Sequence, residues 1–255
     1  MATGASAVWL GPGGPLAGTV EGMSVSDPLR LNSFDHVALW VADRDAIASL
    51  LCDHLGMHVI DRSDRFTLVG ADARRGKLTL FDANGPRHNG ALAHVAFRVS
   101  DLERAVAALP DGLQLERENG EVRFDAPEGL RLGLVEVPDT DLDYDIDHAV
   151  LRVADVEAAA ADFAALGFER AGDRLVVGDK EIRLVPGGAP EGDSPLLNHI
   201  AVLVDSVEGV EREARRRGAA IADVVDAANT LAVFVWGPDR IKLEYVEHKP
   251  SFSLV

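Results

Sequence analysis

The feature that most constrains this chain is a short β-rich run that occurs four times, each time with a histidine near its start. The four runs are Phe34-Asp-His-Val-Ala-Leu-Trp-Val41, Ala93-His-Val-Ala-Phe-Arg-Val99, Ile146-Asp-His-Ala-Val-Leu-Arg-Val153 and Leu197-Asn-His-Ile-Ala-Val-Leu-Val204. The surroundings recur as well: Val41-Ala-Asp43 is echoed by Val153-Ala-Asp155, and Leu55-Gly56 by Leu166-Gly167. His36 and His148 are separated by 112 residues, His94 and His199 by 105. Self-similarity at a near-constant interval marks an internal duplication, here a duplication of a duplication.

The first copy shows what one unit contains. After its opening strand, Asp43 is placed to cap a helix that runs through Ala46-Ile-Ala-Ser-Leu-Leu-Cys52 and stops at Leu55-Gly56, with Gly56 as the left-handed residue. Three short strands are expected next, over 57–61, 65–70 and 77–81, giving β-α-β-β-β. The second copy places Ser100 or Asp101 at the start of a helix through Leu109 and ends on 129–137. Pro138 to Asp145, with one proline and four aspartates, reads as a linker. A twisted four-stranded sheet with one helix has one face covered and one open, so the modules are expected to pair around a cupped cavity. The reading is an α+β chain: an arm over 1–32, a paired-module domain over 33–138, a second over 144–249, and a tail over 250–255.

Composition removes several function classes. A formal charge of −17 disfavours nucleic acid, which needs clustered Lys and Arg, and disfavours an anionic membrane surface for the same reason. No run approaches the ~18 apolar residues of a membrane span, and the first 30 residues lack the basic start of a signal peptide. The cluster Gly11-Pro-Gly-Gly-Pro15 is followed by no Gly-Lys-Ser/Thr, so it is no phosphate-binding loop. The single cysteine, Cys52, allows no intrachain disulfide, fits a reducing cytoplasm, and lies in a helical pattern as a small core residue.

The strand at the end of the fourth copy, Gly237-Pro-Asp-Arg-Ile-Lys-Leu-Glu-Tyr-Val-Glu247, adds a carboxylate, Glu244, on its inner face. Two imidazoles and one carboxylate from separate strands form the facial-triad ligand set, which suits Fe(II) or Mn(II) with open positions. Alternation puts His148, Val150 and Arg152 on one face of their strand. Arg98 and Arg152 lie two pleats beyond strand histidines, where each could meet an anionic substrate group or pair with a carboxylate. Hydrogen bonds at caps or turns are the default account of Asp147 and Asn198. His54, His58, His88 and His248 show no partner pattern, and surface or loop positions are expected for them.

The Asp/Asn-His-apolar-Ala starts and the Gly-Pro-Asp-x-x-x-Leu-Glu ending resemble those of the vicinal oxygen chelate superfamily: glyoxalase I, the bleomycin and fosfomycin resistance proteins, methylmalonyl-CoA epimerase and the type I extradiol dioxygenases. The resemblance covers residues 33 to 249. It implies a divalent metal, Fe(II) first with Mn, Ni or Zn as alternatives, held by His148, His199 and Glu244, and a small catechol-like or other vicinal-oxygen substrate. It implies as well that oligomers are common. Arg183 stands at the fourth ligand position, which leaves three ligands and a pattern similar to the extradiol dioxygenases. Two departures accompany it. Phe234 stands ten residues before Glu244, where those enzymes carry a tyrosine, and 224–229 holds no histidine. In the first half, aligning 126–133 on 237–244 puts Gly133 opposite the carboxylate and Thr79 at the fourth position, so His36 and His94 form a weak site that Gly133→Glu is expected to complete. A glyoxalase- or epimerase-like isomerase or lyase, and a resistance-type binding protein, are the alternatives.

Overall fold

The computed structural model describes residues 29–188 and 194–255. Most of the arm, residues 1–28, lies outside the described residues. The first module comprises β1 (Leu31–Val41), α1 (Arg44–His54), β2 (His58–Arg62), β3 (Phe66–Asp72) and β4 (Arg75–Asp82). The second comprises β5 (Leu92–Val99), α2 (Leu102–Ala107), β6 (Glu116–Glu118), β7 (Glu121–Asp125) and β8 (Arg131–Glu136). The third comprises β9 (Ile146–Val153), α3 (Val156–Ala165), β10 (Glu169–Ala171), β11 (Arg174–Val177) and β12 (Lys180–Pro186). The fourth comprises β13 (Leu197–Val204), α4 (Val207–Arg217), β14 (Ile221–Asp226), β15 (Thr230–Trp236) and β16 (Lys242–His248).

Each helix starts where a short polar side chain can accept an otherwise unpaired N–H. Asp43, Asp101, Asp155 and Ser206 accept from the backbone of Ala46, Arg104, Ala158 and Gly209. Gly56 ends the first helix with φ 58°. α2 is shorter than expected: its C-cap is Ala108, before the Pro110-Asp-Gly112 turn. The four modules build two eight-stranded mixed sheets. One has the order β14-β15-β16-β13-β1-β4-β3-β2, the other β10-β11-β12-β9-β5-β8-β7-β6.

That order changes which modules share a cup. Consecutive modules were expected to pair, the first with the second and the third with the fourth. Instead the first sheet joins the first and fourth modules through antiparallel β1 and β13, and the second joins the second and third through β5 and β9. The first and second modules, and the third and fourth, meet instead where a turn of one reaches a helix start of the other. Glu128, in the turn before β8, accepts from the N–H groups of Ala42 and Asp43 at 2.8 and 2.5 Å, at the start of α1. Asp239, in the turn before β16, accepts from Ala154 at 2.6 Å, at the start of α3. Both residues are held at positive φ, 62° and 50°, so local backbone strain serves a contact to another module. The strand edges are left to pair elsewhere, β1 with β13 of the fourth module and β5 with β9 of the third. The two connections between sheets pass side by side, with His88 donating to Ser194 and Leu196 donating to His88.

Buried apolar side chains of all four modules form one continuous core. At the seam of the sheets the Lys180 ammonium, fully buried, donates to Asp145 at 2.6 Å and to the Phe34 carbonyl at 3.2 Å. An ion pair in such a place fixes how the sheets sit more than it adds stability, but breaking one side of it costs several kcal/mol, about 3–5.

Candidate metal centres

In the first sheet, His36 on β1, His199 on β13 and Glu244 on β16 come from three neighbouring strands whose register puts them on one face. His36 Nε2 lies 3.2 Å from His199 Nε2 and 3.2 Å from Glu244 Oε2, and His199 Nε2 lies 2.7 Å from Glu244 Oε2. Donors bound to one metal at ~2.1 Å and at right angles to each other are separated by roughly 3.0 Å. The three atoms therefore already have the spacing of one face of an octahedron, and the donor set fits a divalent metal with the opposite face open.

The groups behind the donors hold them in that state. His36 Nδ1 donates to Asp35 at 2.7 Å and His199 Nδ1 pairs with the Asn198 side-chain oxygen at 3.1 Å, so both rings turn Nε2 toward the centre. Asp35 is buried and is itself met by the Lys77 ammonium at 2.9 Å and His248 Nε2 at 3.0 Å. Burial works against its charge, but Lys77 and the two imidazoles hold its carboxyl well below the usual range. Burial likewise opposes charge on Glu244, and His199 and His36 outweigh it and keep the carboxylate ionised. For His36, burial favours the neutral ring, yet Glu244 and Asp35 raise its pKa to about 9. Burial wins at His199, which is lowered. Without a metal, one proton on His36 is thus the cation among the three donors.

These donors open on a cavity of about 410 Å³. Phe66, Phe81, Phe234 and Phe252 form much of its wall, and Thr79, Asn229 and His248 supply polar groups. Phe234 lies opposite Glu244 in the β15–β16 pairing, with its ring 5.1 Å from that of His199. His248, four residues beyond Glu244 on β16, stacks on Phe252 at 4.4 Å.

The second sheet has a corresponding cluster of different construction: His94 on β5, His148 on β9 and Glu121 on β7. Glu121 lies 2.9 Å from His94 Nε2 and 3.7 Å from His148 Nε2. Burial raises the Glu121 carboxyl, but the neighbouring His148 and His94 imidazoles outweigh it and the group is held low. Gly133, on β8, is the reason Glu121 can reach. A Cβ there would lie 2.2 Å from Glu121 Oε1. The carboxylate has moved one strand outward, into space that glycine leaves. His148 Nδ1 donates to Asp147 at 2.7 Å, whereas Ala93 gives His94 no such neighbour. The guanidinium of Arg183 reaches the same centre, with Nη1 3.1 Å from His148 Nε2.

Residues 33–139 match the model of the Glyoxalase/Bleomycin resistance protein/Dioxygenase superfamily. Over that span the chain is similar to a domain of that superfamily. Its fold extends over nearly all of the described chain. A putative dioxygenase from Bacillus subtilis superposes with a TM-score of 0.70 at 20% identity, covering 88% of this chain and 87% of its own. Glyoxalase I from Zea mays gives 0.65 at 19%, covering 84% and 92%. The cppA protein from Streptococcus pneumoniae gives 0.60 at 12%, covering 87% and 100%. No curated protein matches the chain. The superfamily's paired-module α+β fold is therefore the fold of this protein, while the metal groups must be read from its own residues.

Of the three ligands expected together, the structure unites His199 and Glu244 and separates His148 from them. His148 lies in the other sheet, because the third module pairs with the second; His36 takes its place. The first-half pair His36 and His94 is divided in the same way. The expectation that Gly133→Glu would complete a site is corrected as well: Glu121 already fills that space. Arg98 pairs with Asp179 at 2.5 Å and Asp147 at 3.4 Å, and Arg152 donates to the Leu92 carbonyl. Asp147 and Asn198 orient imidazoles instead of capping turns. His248 is in the cavity wall and not on the surface, and alternation from Glu244 through Val246 was the signal for it. Cys52 packs against the core, where burial raises its thiol pKa. No helix among the described residues is long and apolar enough to cross a membrane.

Proposed function

We propose that the first cup is the active site of a metal-dependent enzyme, with His36, His199 and Glu244 as ligands, and that it opens a catechol-type ring with dioxygen on Fe(II). The observation that carries this reading is the three-donor face opening directly on an aromatic-walled cavity. A facial triad leaves adjacent positions for two oxygens of a chelating substrate and for a second reactant, and the metal supplies Lewis acidity and a template when bound. The cavity walls orient a flat ring by stacking against Phe234 and Phe81, and the apolar wall excludes water. His248 lines the cavity and is placed to take a substrate hydroxyl proton, with the Asp35 carboxylate 3.0 Å from its Nε2. It fills the acid-base role that Phe234 cannot.

The same fold serves a putative dioxygenase and a glyoxalase I, so the choice rests on the site. Isomerisation through an enediolate wants a carboxylate or other strong base as a fourth group beside the metal. The residue at that position is Thr79, which disfavours it. The test is to load metal-stripped protein anaerobically with Fe(II), add a panel of catechols, and follow oxygen uptake with isotopically labelled dioxygen. Incorporation of both oxygen atoms into a ring-opened product, lost in Glu244→Ala, supports the reading. No uptake across the panel, with turnover of a hemithioacetal or an epimerisable thioester by the Mn(II) or Ni(II) form, replaces it with the isomerase.

A further inference from the structure

The second cup contains the same donor types as the first, yet one of its neighbours is a permanent cation. Arg183 on β12 corresponds to Thr79 on β4: in each sheet the parallel register puts it opposite the residue two places after a ligand histidine, Val150 for Arg183 and Ala38 for Thr79. Threonine is short and uncharged. Arginine is long enough to reach back over the cluster, and it does so. Its Nη1 stands 3.1 Å from His148 Nε2, the atom that would face a metal. Its Nε donates to Glu181 at 3.0 Å, and its Nη2 lies 4.0 Å from Asp147. Glu181 is itself anchored by Arg174 at 2.9 Å. The guanidinium is thus fixed at its root by one carboxylate and directed by that contact toward the imidazole. A donor N–H aimed at Nε2 uses the lone pair that a metal needs, and the fixed positive charge repels a dication at the same distance.

The spacing of the other donors agrees. In the first cup every donor pair measured between ring nitrogen and carboxylate is 3.2 Å or less. In the second, Glu121 is tight on His94 at 2.9 Å but stands off His148 at 3.7 Å, the side where Arg183 sits. This donor set does not fit a metal as it stands.

We propose that the second cup is a divalent-metal site whose cation position is held by Arg183, so that the wild-type chain takes no metal there and removal of the guanidinium opens it. Arg183 acts as a built-in counter-ion for a His-Glu-His cluster that the pairing of modules would otherwise expose to any available transition metal. The inference does not depend on the chemistry assigned to the first cup.

The experiment is a titration of metal-stripped protein with Co(II) and Mn(II), read by bound metal per chain and, for Co(II), by the ligand-field spectrum. Wild type is expected to bind one metal. Arg183→Gln, at a side chain that is 39% exposed and therefore replaceable without opening the core, is expected to bind two. The second should be tighter than anything at that cup in wild type by on the order of a hundredfold. Arg183→Gln with Glu121→Gln should return to one, and Arg183→Lys, which keeps a charge, should stay at one. Two metals in wild type, or no more metal in Arg183→Gln than in wild type, overturns the proposal. If wild type binds none but Arg183→Gln binds one that Glu121→Gln removes, the first-cup reading fails and this one stands.

Discussion

The two cups are built from repeats of one module and end with opposite charge arrangements. In the first, the carboxylate is on the last strand of its module, β16, and the residue diagonal to it on β15 is Ala232. In the second, the last strand carries Gly133 and the neighbouring strand carries Glu121. Each cup has one carboxylate, delivered from adjacent positions on adjacent strands. The first cup couples its carboxylate to two oriented imidazoles and an open cavity; the second couples it to one oriented imidazole and a guanidinium. A ligand set is therefore not a list of residue types. What stands behind each donor, and what cation is already within reach, decides which cup can take a metal.

The comparison breaks most directly at the carboxylates. Glu244→Ala is expected to weaken metal binding by on the order of a thousandfold, because the one anionic ligand is lost and two imidazoles remain; Glu121→Ala should leave wild-type metal affinity unchanged. Isothermal titration of both variants checks this, and a loss in Glu121→Ala would mean that the cups are equivalent. A smaller effect follows from the proton on His36. Metal must displace it, so the apparent Kd is expected to fall about tenfold per pH unit as pH rises from near 6.5 toward 9 and to flatten above that. In the metal-free chain the sign is reversed for stability: the raised His36 pKa stabilises the fold fully below 6.5, and that contribution is lost as pH rises through about 9. Thermal unfolding of the metal-free protein across that range reads it.

Next in size is Gly133→Ala. Its Cβ displaces Glu121 and crowds Ala96 at 3.1 Å, for an expected loss of about 1–3 kcal/mol in urea unfolding with no change in metal affinity. Asn198→Ala should have the smallest effect, weakening metal at the first cup by ~10-fold through a less oriented His199, with the fold unaltered.

Much of this molecule was legible in its sequence. The four His-bearing strands, the capped helices after Asp43 and Asp155, and the superfamily's α+β modules all announce themselves locally, through period-2 alternation, N-cap chemistry and repetition. Glu244 and His199 could be read as partners because both belong to one module. The identity of the third ligand could not. His36 and His199 are 163 residues apart, and nothing in either strand states that β1 will pair with β13 and not with β5. Glu128 and Asp239, whose carboxylates bind helix starts in neighbouring modules, are part of that arrangement, and neither shows its contact in the sequence. Glu121 was hidden for a similar reason: its role depends on an absent side chain on the next strand, Gly133, which in isolation reads as a lost ligand.

The nesting of the sheets has a consequence for how the protein is made. β5 through β12 form a complete eight-stranded sheet from one continuous stretch in the middle of the chain, so the second cup can assemble while synthesis continues. The first sheet brackets that stretch, and its centre needs β1, β13 and β16 together. The proposed active site is thus the last part of the protein to exist. Until β13 is made, β1 waits with an unpaired edge, and the cup already formed in the middle is the one whose cation position Arg183 is proposed to keep filled. A growing chain with an open triad would collect whichever metal arrived first; this one presents its proposed metal ligands as a set only when it is nearly finished.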